Sequence, residues 1–130
     1  MNLALDTNIL IEIDRLNKKI IEKLESLRKE EQLDPTLPAL VVLEYYYGFL
    51  DSRKKESALK NINKYTILNT SKGSSLLSAE IKHKLERAGQ IIPDIDIIIA
   101  AICIDNNAIL VTSDKQFEKI KELNKIILDV

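Results

Sequence analysis

The feature that most constrains the fold is a short apolar run near the start of the chain that three polar residues interrupt. Residues 3–5, Leu-Ala-Leu, are followed at once by Asp6-Thr-Asn8, and Ile9-Leu-Ile11 then restarts an apolar pattern with helical spacing. Such a run is typical of a buried strand that passes into a helix. Asp6 is therefore expected just past the carboxyl end of a strand, where open α/β sheets place their ligand sites.

The remainder of the chain alternates helical and strand-like patterns. Helices are predicted at 9–15, 18–31, 40–50, 53–64, 74–87 and 94–105, with a short one after Ser113-Asp114, and further strands at 37–39, 65–68, 108–112 and 126–128. Strands that alternate with helices predict a parallel sheet covered on both faces. The expected fold is a three-layer α/β/α sandwich with a central, mainly parallel sheet, formed by one domain over residues 1–130.

The composition indicates in which compartment the protein works and which partners it can bind. Cys103 is the only cysteine, which excludes an internal disulfide and favours a reducing compartment. No apolar run approaches the roughly 20 residues that a membrane helix needs, and the N-terminus lacks the features of a signal peptide. We therefore expect a cytoplasmic protein without a membrane partner. The net charge of −1 provides no global basic field for nucleic acid, so a bound metal or a local lysine cluster would have to attract it.

Four acidic residues follow predicted strands or lie early in the helices after them. They are Asp6, Glu44, Asp96 and Asp114, called the four acids below. Right-handed crossovers bring the carboxyl ends of all parallel strands to one edge, so these side chains are expected to converge there. Converging carboxylates repel one another unless a cation neutralises them. Oxygen-only ligands favour Mg²⁺ or Mn²⁺, and the lack of a His or Cys partner argues against zinc.

Each acid also has a purely structural interpretation. Asp6 can simply end a strand, and Asp96 and Asp114 can be favourable charges at helix N-termini. Glu44 is harder to explain in this way, because apolar residues precede it, tyrosines follow it, and a carboxylate in such surroundings needs a partner. The joint pattern favours a functional site.

Four segments in fixed order carry a family resemblance. They are Leu5-Asp-Thr-Asn8, Glu44 with Gly48 four residues on, Asp96-Ile-Ile-Ile-Ala-Ala101, and Leu110-Val-Thr-Ser-Asp114 followed by Phe117. No single segment is specific, but together they cover nearly the whole chain. In this order and spacing the sequence resembles a PIN domain, and within that group the VapC toxins of bacterial and archaeal toxin–antitoxin pairs.

The resemblance implies a metal-dependent endoribonuclease with an α/β/α fold. The four acids match the family's acidic positions and would be the catalytic and metal-binding residues, with Mg²⁺ or Mn²⁺ as cofactor. Asn8 and Thr112 match polar positions that orient those carboxylates, with Ser113 in support. The partners implied are an RNA substrate, a VapB-like antitoxin and a second copy of the chain in a homodimer.

Several positions depart from the pattern or leave a choice open. Asp94 competes with Asp96 for the third acidic position; the family's pattern for this segment, an acid followed by two apolar residues, Ile, Ala and Ala, selects Asp96, and Asp94 is then interpreted as a helix N-cap. Gln116 precedes Phe117 where related sequences often carry an acid. His83 lies between lysines on a predicted helix and is interpreted as a solvent-exposed residue.

Other functions remain possible at the level of sequence. A housekeeping PIN nuclease that processes RNA would use the same chemistry, and a catalytically inactive PIN-like module would use only the fold. A phosphatase of the haloacid dehalogenase type needs a second acid two residues after the first, where Asn8 stands.

The helix from Asp96 to Ile104 is apolar on nearly every side, so it must be covered by a neighbouring helix or a second subunit.

Overall fold

The computed structural model describes residues 1–130, which form a five-stranded sheet, six α-helices and one 3₁₀ helix. The strands are β1 (Asn2–Leu5), β2 (Asp34–Pro38), β3 (Thr66–Leu68), β4 (Ala108–Thr112) and β5 (Lys125–Ile127). The helices are α1 (Thr7–Asp14), α2 (Lys18–Glu30), α3 (Ala39–Tyr47), α4 (Lys55–Ile62), α5 (Lys72–Arg87) and α6 (Asp94–Asp105), and the 3₁₀ helix spans Lys115–Lys119. Every pair of neighbouring strands is parallel, as predicted.

The strand order β3-β2-β1-β4-β5 places a change of direction at the centre of the sheet. The chain moves outward from β1 to β2 to β3 and then returns to the other side of β1 for β4 and β5. Right-handed crossovers therefore put α1 to α4 on one face and α5 and α6 on the other, which gives the predicted α/β/α sandwich. The connections diverge between β1 and β4, so a crevice opens at the carboxyl ends of these two strands.

The central strands β1 and β4 are buried on both faces. Leu3, Leu5, Leu110 and Val111 are almost completely inaccessible to solvent. A central parallel strand needs apolar residues at successive positions because helices cover both of its faces. Asp6 continues β1 along the sheet edge, since its amide donates a 3.0 Å hydrogen bond to the carbonyl of Val111. The buried core therefore extends to the carboxyl end of β1, directly before Asp6.

Helix α6 receives the cover that its all-round apolar sequence requires. It packs most extensively against α5 and also contacts α3, β2 and β4, so that Ile97 and residues 99–103 are buried. The covering elements belong to the same chain, so the burial of α6 does not itself call for a second subunit. No helix in the structure is both long enough and apolar enough to cross a membrane.

Three local predictions were wrong by more than two residues or in the role of a residue, and other element bounds differ by one or two residues. Strand β2 begins at Asp34 rather than Leu37, and Pro35 lies inside it. Proline is accommodated there because β3 pairs with β2 only from Thr36 onwards, so the missing N–H costs no bond on that side. Helix α3 ends at Tyr47 rather than Leu50, since Gly48, a poor helix former, follows.

The third error concerns Asp94, which is not an N-cap. Pro93 occupies the cap position of α6 without a side-chain hydrogen bond, and Asp94 is the first residue of the helix. Its carboxylate instead lies 3.1 Å from Nζ of Lys82 on α5.

Candidate active site

Asp6 lies at the crevice between β1 and β4, and the fold holds its side chain in place. Only 5% of the residue is exposed. Oδ1 accepts a 2.9 Å hydrogen bond from the amide of Thr7, and Oδ2 accepts bonds from Thr112 Oγ1 at 2.6 Å and from Asn8 Nδ2 at 3.2 Å. A carboxylate has about four acceptor positions, so roughly one remains for a ligand.

The end of β4 is tied to the end of β1 through three of the predicted residues. Thr112 donates its hydroxyl to Asp6 and accepts the amide of Asp114 at 3.0 Å. Asn8 donates to Asp6 and accepts the amide of Ser113 at 3.0 Å. Thr112 and Asn8 thus contact Asp6 directly, as expected for orienting residues, whereas Ser113 contributes its backbone amide.

Glu44 lies in the second turn of α3 and reaches the same region. Its Oε1 accepts a 3.0 Å hydrogen bond from the hydroxyl of Thr7, and Oε2 accepts none from the chain. The side chain is half-buried. Helix α3 packs against α1, so Glu44 is brought to the first residue of α1 directly after Asp6.

Asp96 and Asp114 complete the set of predicted acids. Asp96 is half-buried in the first turn of α6, and its carboxylate makes no hydrogen bond or ion pair with the chain. Asp114 is the N-cap of the 3₁₀ helix, where Oδ1 accepts the amide of Gln116 at 2.9 Å. Its structural role as a cap therefore occupies one oxygen and leaves the other free.

The pKa values of three of these carboxylates are raised, by burial first and by the charges of the other acids second. Burial raises the pKa of Asp96 to about 6, and the charges of Asp6, Asp114 and Glu44 add to the increase. Burial also raises the pKa of Asp6, against the effect of its hydrogen bonds, and Asp114 adds to that rise. Burial raises the pKa of Glu44, and the negative charge of Asp6 adds to this rise. The hydrogen bond from Thr7 acts in the opposite direction.

No lysine or arginine neutralises this concentration of negative charge. The ion pairs of the chain are Arg15–Glu12, Lys82–Asp94 and Lys84–Glu122, and none involves one of the four acids. Like charges that face each other without a counter-charge disfavour ionisation, which agrees with the raised pKa of Asp96. The arrangement is electrostatically suited to a cation.

The donor set fits a hydrated hard cation rather than a closed protein cage. No three Asp, Glu, His or Cys side chains lie close enough together to enclose a metal ion by themselves. Mg²⁺ usually retains several waters and is held by only one or two carboxylates, so it does not need such a cage. All available donors are oxygen atoms, which is the set preferred by Mg²⁺ and Mn²⁺.

Sequence reasoning missed one residue of this site, Thr7. Its amide binds Asp6 and its hydroxyl binds Glu44, so it contacts two of the four acids. The sequence pointed to its position beside Asp6 but gave no indication that α3 would bring Glu44 to its hydroxyl. By contrast, His83 is exposed as predicted.

Comparison of the chain with models of protein families identifies the class of protein that has this parallel sheet and these acids. A family model described as PIN domain matches residues 3–123. The chain therefore belongs to the PIN domain family.

Individual relatives place it more narrowly within that family. Ribonuclease VapC2 of Rickettsia felis is 31% identical over 125 residues, which is 92% of each chain. Among solved structures, VapBC2 of the same organism, bound to a DNA fragment from its promoter, contains a chain that is 29% identical with a TM-score of 0.85, covering 99% of this chain and 100% of that one. VapBC-1 of nontypeable Haemophilus influenzae contains one that is 26% identical with a TM-score of 0.81 and 98% coverage of both. The similarity is thus to VapC ribonucleases over the whole fold.

Proposed function

We propose that this chain is a metal-dependent endoribonuclease, the toxin of a VapBC-type toxin–antitoxin pair, and that residues 1–130 act as one nuclease domain. The observation that carries the proposal is the set of four acids at the β1–β4 crevice without any cationic side chain to neutralise them. The similarity to a VapC ribonuclease supports RNA as the substrate. The single buried Cys103 agrees with the prediction of a cytoplasmic location.

Mg²⁺ or Mn²⁺ is the cofactor that suits this donor set. When bound, such an ion supplies Lewis-acid polarisation of the scissile phosphate and lowers the pKa of a water molecule. Asp6 and Asp96 are assigned as its direct ligands, Asp6 because it is fixed in orientation and Asp96 because both of its oxygens are free of other bonds. Glu44 and Asp114 complete the site, each with one oxygen that accepts no hydrogen bond from the chain.

The protein's own contribution to the reaction is a fixed field of negative charge. Asp6 cannot rotate without losing bonds to Thr7, Asn8 and Thr112, so its oxygen atoms stay in place before a ligand arrives. Preorganised charge of this kind avoids the cost of reorganising the site during the reaction. Thr112 and Asn8 act here as positioning residues.

An antitoxin is the partner that the proposal requires, since an active ribonuclease endangers the cell that makes it. The similar solved structures are described as VapBC complexes. Carboxylates short of metal attract a cation, and the planar fork of arginine pairs well with them. We therefore expect a VapB-like antitoxin that points an Arg or Lys at the four acids.

A groove between α1, α3 and α4 supplies a surface for the antitoxin's apolar helix. Its volume is about 610 Å³. Its lining combines apolar Ile11, Ile13 and Phe49 with three basic residues, Arg15, Lys54 and Lys64, and one acidic residue, Asp14. An amphipathic helix that carries acidic residues beside its apolar stripe would complement this groove in both shape and charge.

A homodimer is the assembly that we propose, with the exposed side of α3 as its surface. Leu43 is 56% exposed and Tyr47, one turn further on, is 64% exposed. Leu50 follows just beyond the helix and is also exposed. Neighbouring large apolar side chains in solvent are typical of a protein–protein interface.

Growth of cells that express the chain tests the toxin function. The wild-type chain expressed alone should arrest growth, Asp6→Ala should relieve the arrest, and co-expression of the short reading frame next to the gene should also relieve it. Asp94→Ala is the matched control, since Asp94 is exposed and paired with Lys82, and it should still arrest growth. A harmless wild-type chain with no co-purifying small protein would contradict the toxin proposal. A housekeeping nuclease would then be indicated if RNA is cleaved in vitro, and an inactive module if it is not.

A further inference from the structure

Thr7 is the residue at which two of the four acids are joined. It is the first residue of α1, and its two hydrogen-bonding groups point to different carboxylates. The backbone amide donates to Asp6 Oδ1 at 2.9 Å, and the side-chain hydroxyl donates to Glu44 Oε1 at 3.0 Å. Asp6 and Glu44 come from separate parts of the chain, 37 positions separate Thr7 from Glu44, and no other residue donates a hydrogen bond to both carboxylates.

The bond to Glu44 differs from an ordinary helix–helix contact. Glu44 is half-buried, carries like charge to Asp6 and has no other hydrogen-bond donor. Without the Thr7 hydroxyl, repulsion and the incentive to regain water would both favour rotation of this carboxylate toward solvent. The branched side chain of threonine also restricts χ1, so the donor is held in position.

We propose that Thr7 is a positioning residue of the active site, whose hydroxyl holds Glu44 beside Asp6 so that Glu44 can complete the divalent-ion site assigned to Asp6 and Asp96. This inference rests on the proposed function, because it assumes that the four acids bind a metal. It assigns no contact between Thr7 and the substrate. It predicts that the hydroxyl contributes to metal affinity through Glu44 alone.

A second bond between the same two helices provides a matched control. Tyr45, the neighbour of Glu44 on α3, donates its hydroxyl to Asp14 Oδ2 at 2.6 Å. Asp14 is the last residue of α1, so Thr7 and Asp14 connect the two ends of α1 to α3. If Thr7 merely fastens the helices together, Thr7→Val and Tyr45→Phe should act alike. If Thr7 positions Glu44, only Thr7→Val should change metal binding.

Calorimetric titration of the purified chain with Mn²⁺ tests the proposal, with wild type, Thr7→Val, Thr7→Ser and Tyr45→Phe compared side by side. Residues that orient metal ligands typically contribute 10- to 100-fold to metal affinity. Thr7→Val should therefore bind Mn²⁺ at least about 10-fold more weakly, while Thr7→Ser, which keeps the hydroxyl, and Tyr45→Phe should remain close to wild type. A cooperative thermal unfolding transition is the control that each variant is folded.

A double-mutant cycle with Glu44→Gln separates action through Glu44 from a general effect on structure. In the Glu44→Gln background, Thr7→Val should produce no further loss of Mn²⁺ affinity. An equal loss in both backgrounds, or wild-type affinity for Thr7→Val, would overturn the role assigned to Thr7 and leave the nuclease proposal intact. A wild-type chain that binds no Mn²⁺ would overturn both.

Discussion

The hydroxyl of Thr112 donates a 2.6 Å hydrogen bond to Asp6 Oδ2, although 106 positions separate the two residues in sequence. The same hydroxyl oxygen accepts the amide of Asp114 at 3.0 Å. One buried threonine therefore connects the ends of β1 and β4 and contacts two of the four acids. Stability and the candidate active site depend on the same side chain.

Thr112→Val should lower both the stability and the metal affinity of the chain. Hydrogen bonds to charged groups contribute about 1.5–3 kcal/mol, so urea unfolding should show a free energy of unfolding lower by about 2 kcal/mol. Mn²⁺ affinity should fall because Asp6 loses the shorter of the two hydrogen bonds that orient Oδ2. Thr36→Val is the control, since Thr36 is equally buried but donates to the backbone carbonyl of Leu3. It should lose about 1 kcal/mol of stability and keep its Mn²⁺ affinity.

Asp6→Asn and Asp96→Asn test the assignment of direct metal ligands. Each substitution replaces a carboxylate with a neutral amide of similar shape, so Mn²⁺ affinity measured by calorimetry should drop at least about 10-fold. Asp94→Asn provides a charge-matched control, because Asp94 lies two residues from Asp96 but is exposed and paired with Lys82. Unchanged affinity in both Asp6→Asn and Asp96→Asn would refute the assignment.

The stability of the metal-free chain should fall as the pH rises. Burial raises the pKa of Asp96 from 3.8 to about 6, so between these values the folded chain holds a proton that the unfolded chain releases. Linkage then lowers the free energy of unfolding with increasing pH in that interval. The raised pKa values of Asp6 and Glu44 act in the same direction.

Urea unfolding at several pH values in the presence of a chelator measures this dependence. Asp96→Asn should reduce the decline, and saturating Mg²⁺ should oppose it because the ion neutralises the carboxylates. A decline that is the same in wild type and Asp96→Asn would show that Asp96 does not titrate in this interval.

Light scattering tests the homodimer and the surface assigned to it. The wild-type chain should have the mass of a dimer at micromolar concentration. Tyr47→Ser should shift it toward monomer, because Tyr47 is the most exposed apolar residue on α3. Ile91→Ser is the control, since Ile91 is even more exposed but lies in the connection between α5 and α6. A monomeric wild-type chain, or equal effects of both substitutions, would contradict the assignment.

Local pattern was sufficient to predict most of the fold. Strand β4 and helix α6 have the predicted bounds, because each is a long apolar segment between clear polar signals. The errors arose where tertiary context outweighs local preference. Pro35 disfavours a strand in isolation but is tolerated where β3 does not reach it. Aspartate is a common N-cap residue, yet Asp94 is the first residue inside α6, directly after the N-cap Pro93, and its side chain pairs with Lys82.

The sequence named the four acids as candidates but did not indicate the hydrogen bonds that connect them to the chain. A parallel sheet brings strand ends to one edge, so the convergence of Asp6 and Asp114 followed from topology alone. The contact between Thr7 and Glu44 depends on the packing angle of α3 against α1, which no local pattern specifies. The roles of the four acids in catalysis remain a prediction.

Cleavage of RNA by the purified chain tests the central claim most directly. Wild type and Asp6→Asn are incubated with a mixed pool of cellular RNA, with either Mg²⁺ or a chelator, and the fragments are treated with an exonuclease that requires a 5′-phosphate. Wild type with Mg²⁺ should give fragments that the exonuclease degrades, since attack of water on phosphorus with departure of the 3′ oxygen leaves a 5′-phosphate and a 3′-hydroxyl. Chelator or Asp6→Asn should abolish cleavage. Equal cleavage by wild type and Asp6→Asn, or cleavage that persists in chelator, would contradict a metal-dependent site built on the four acids.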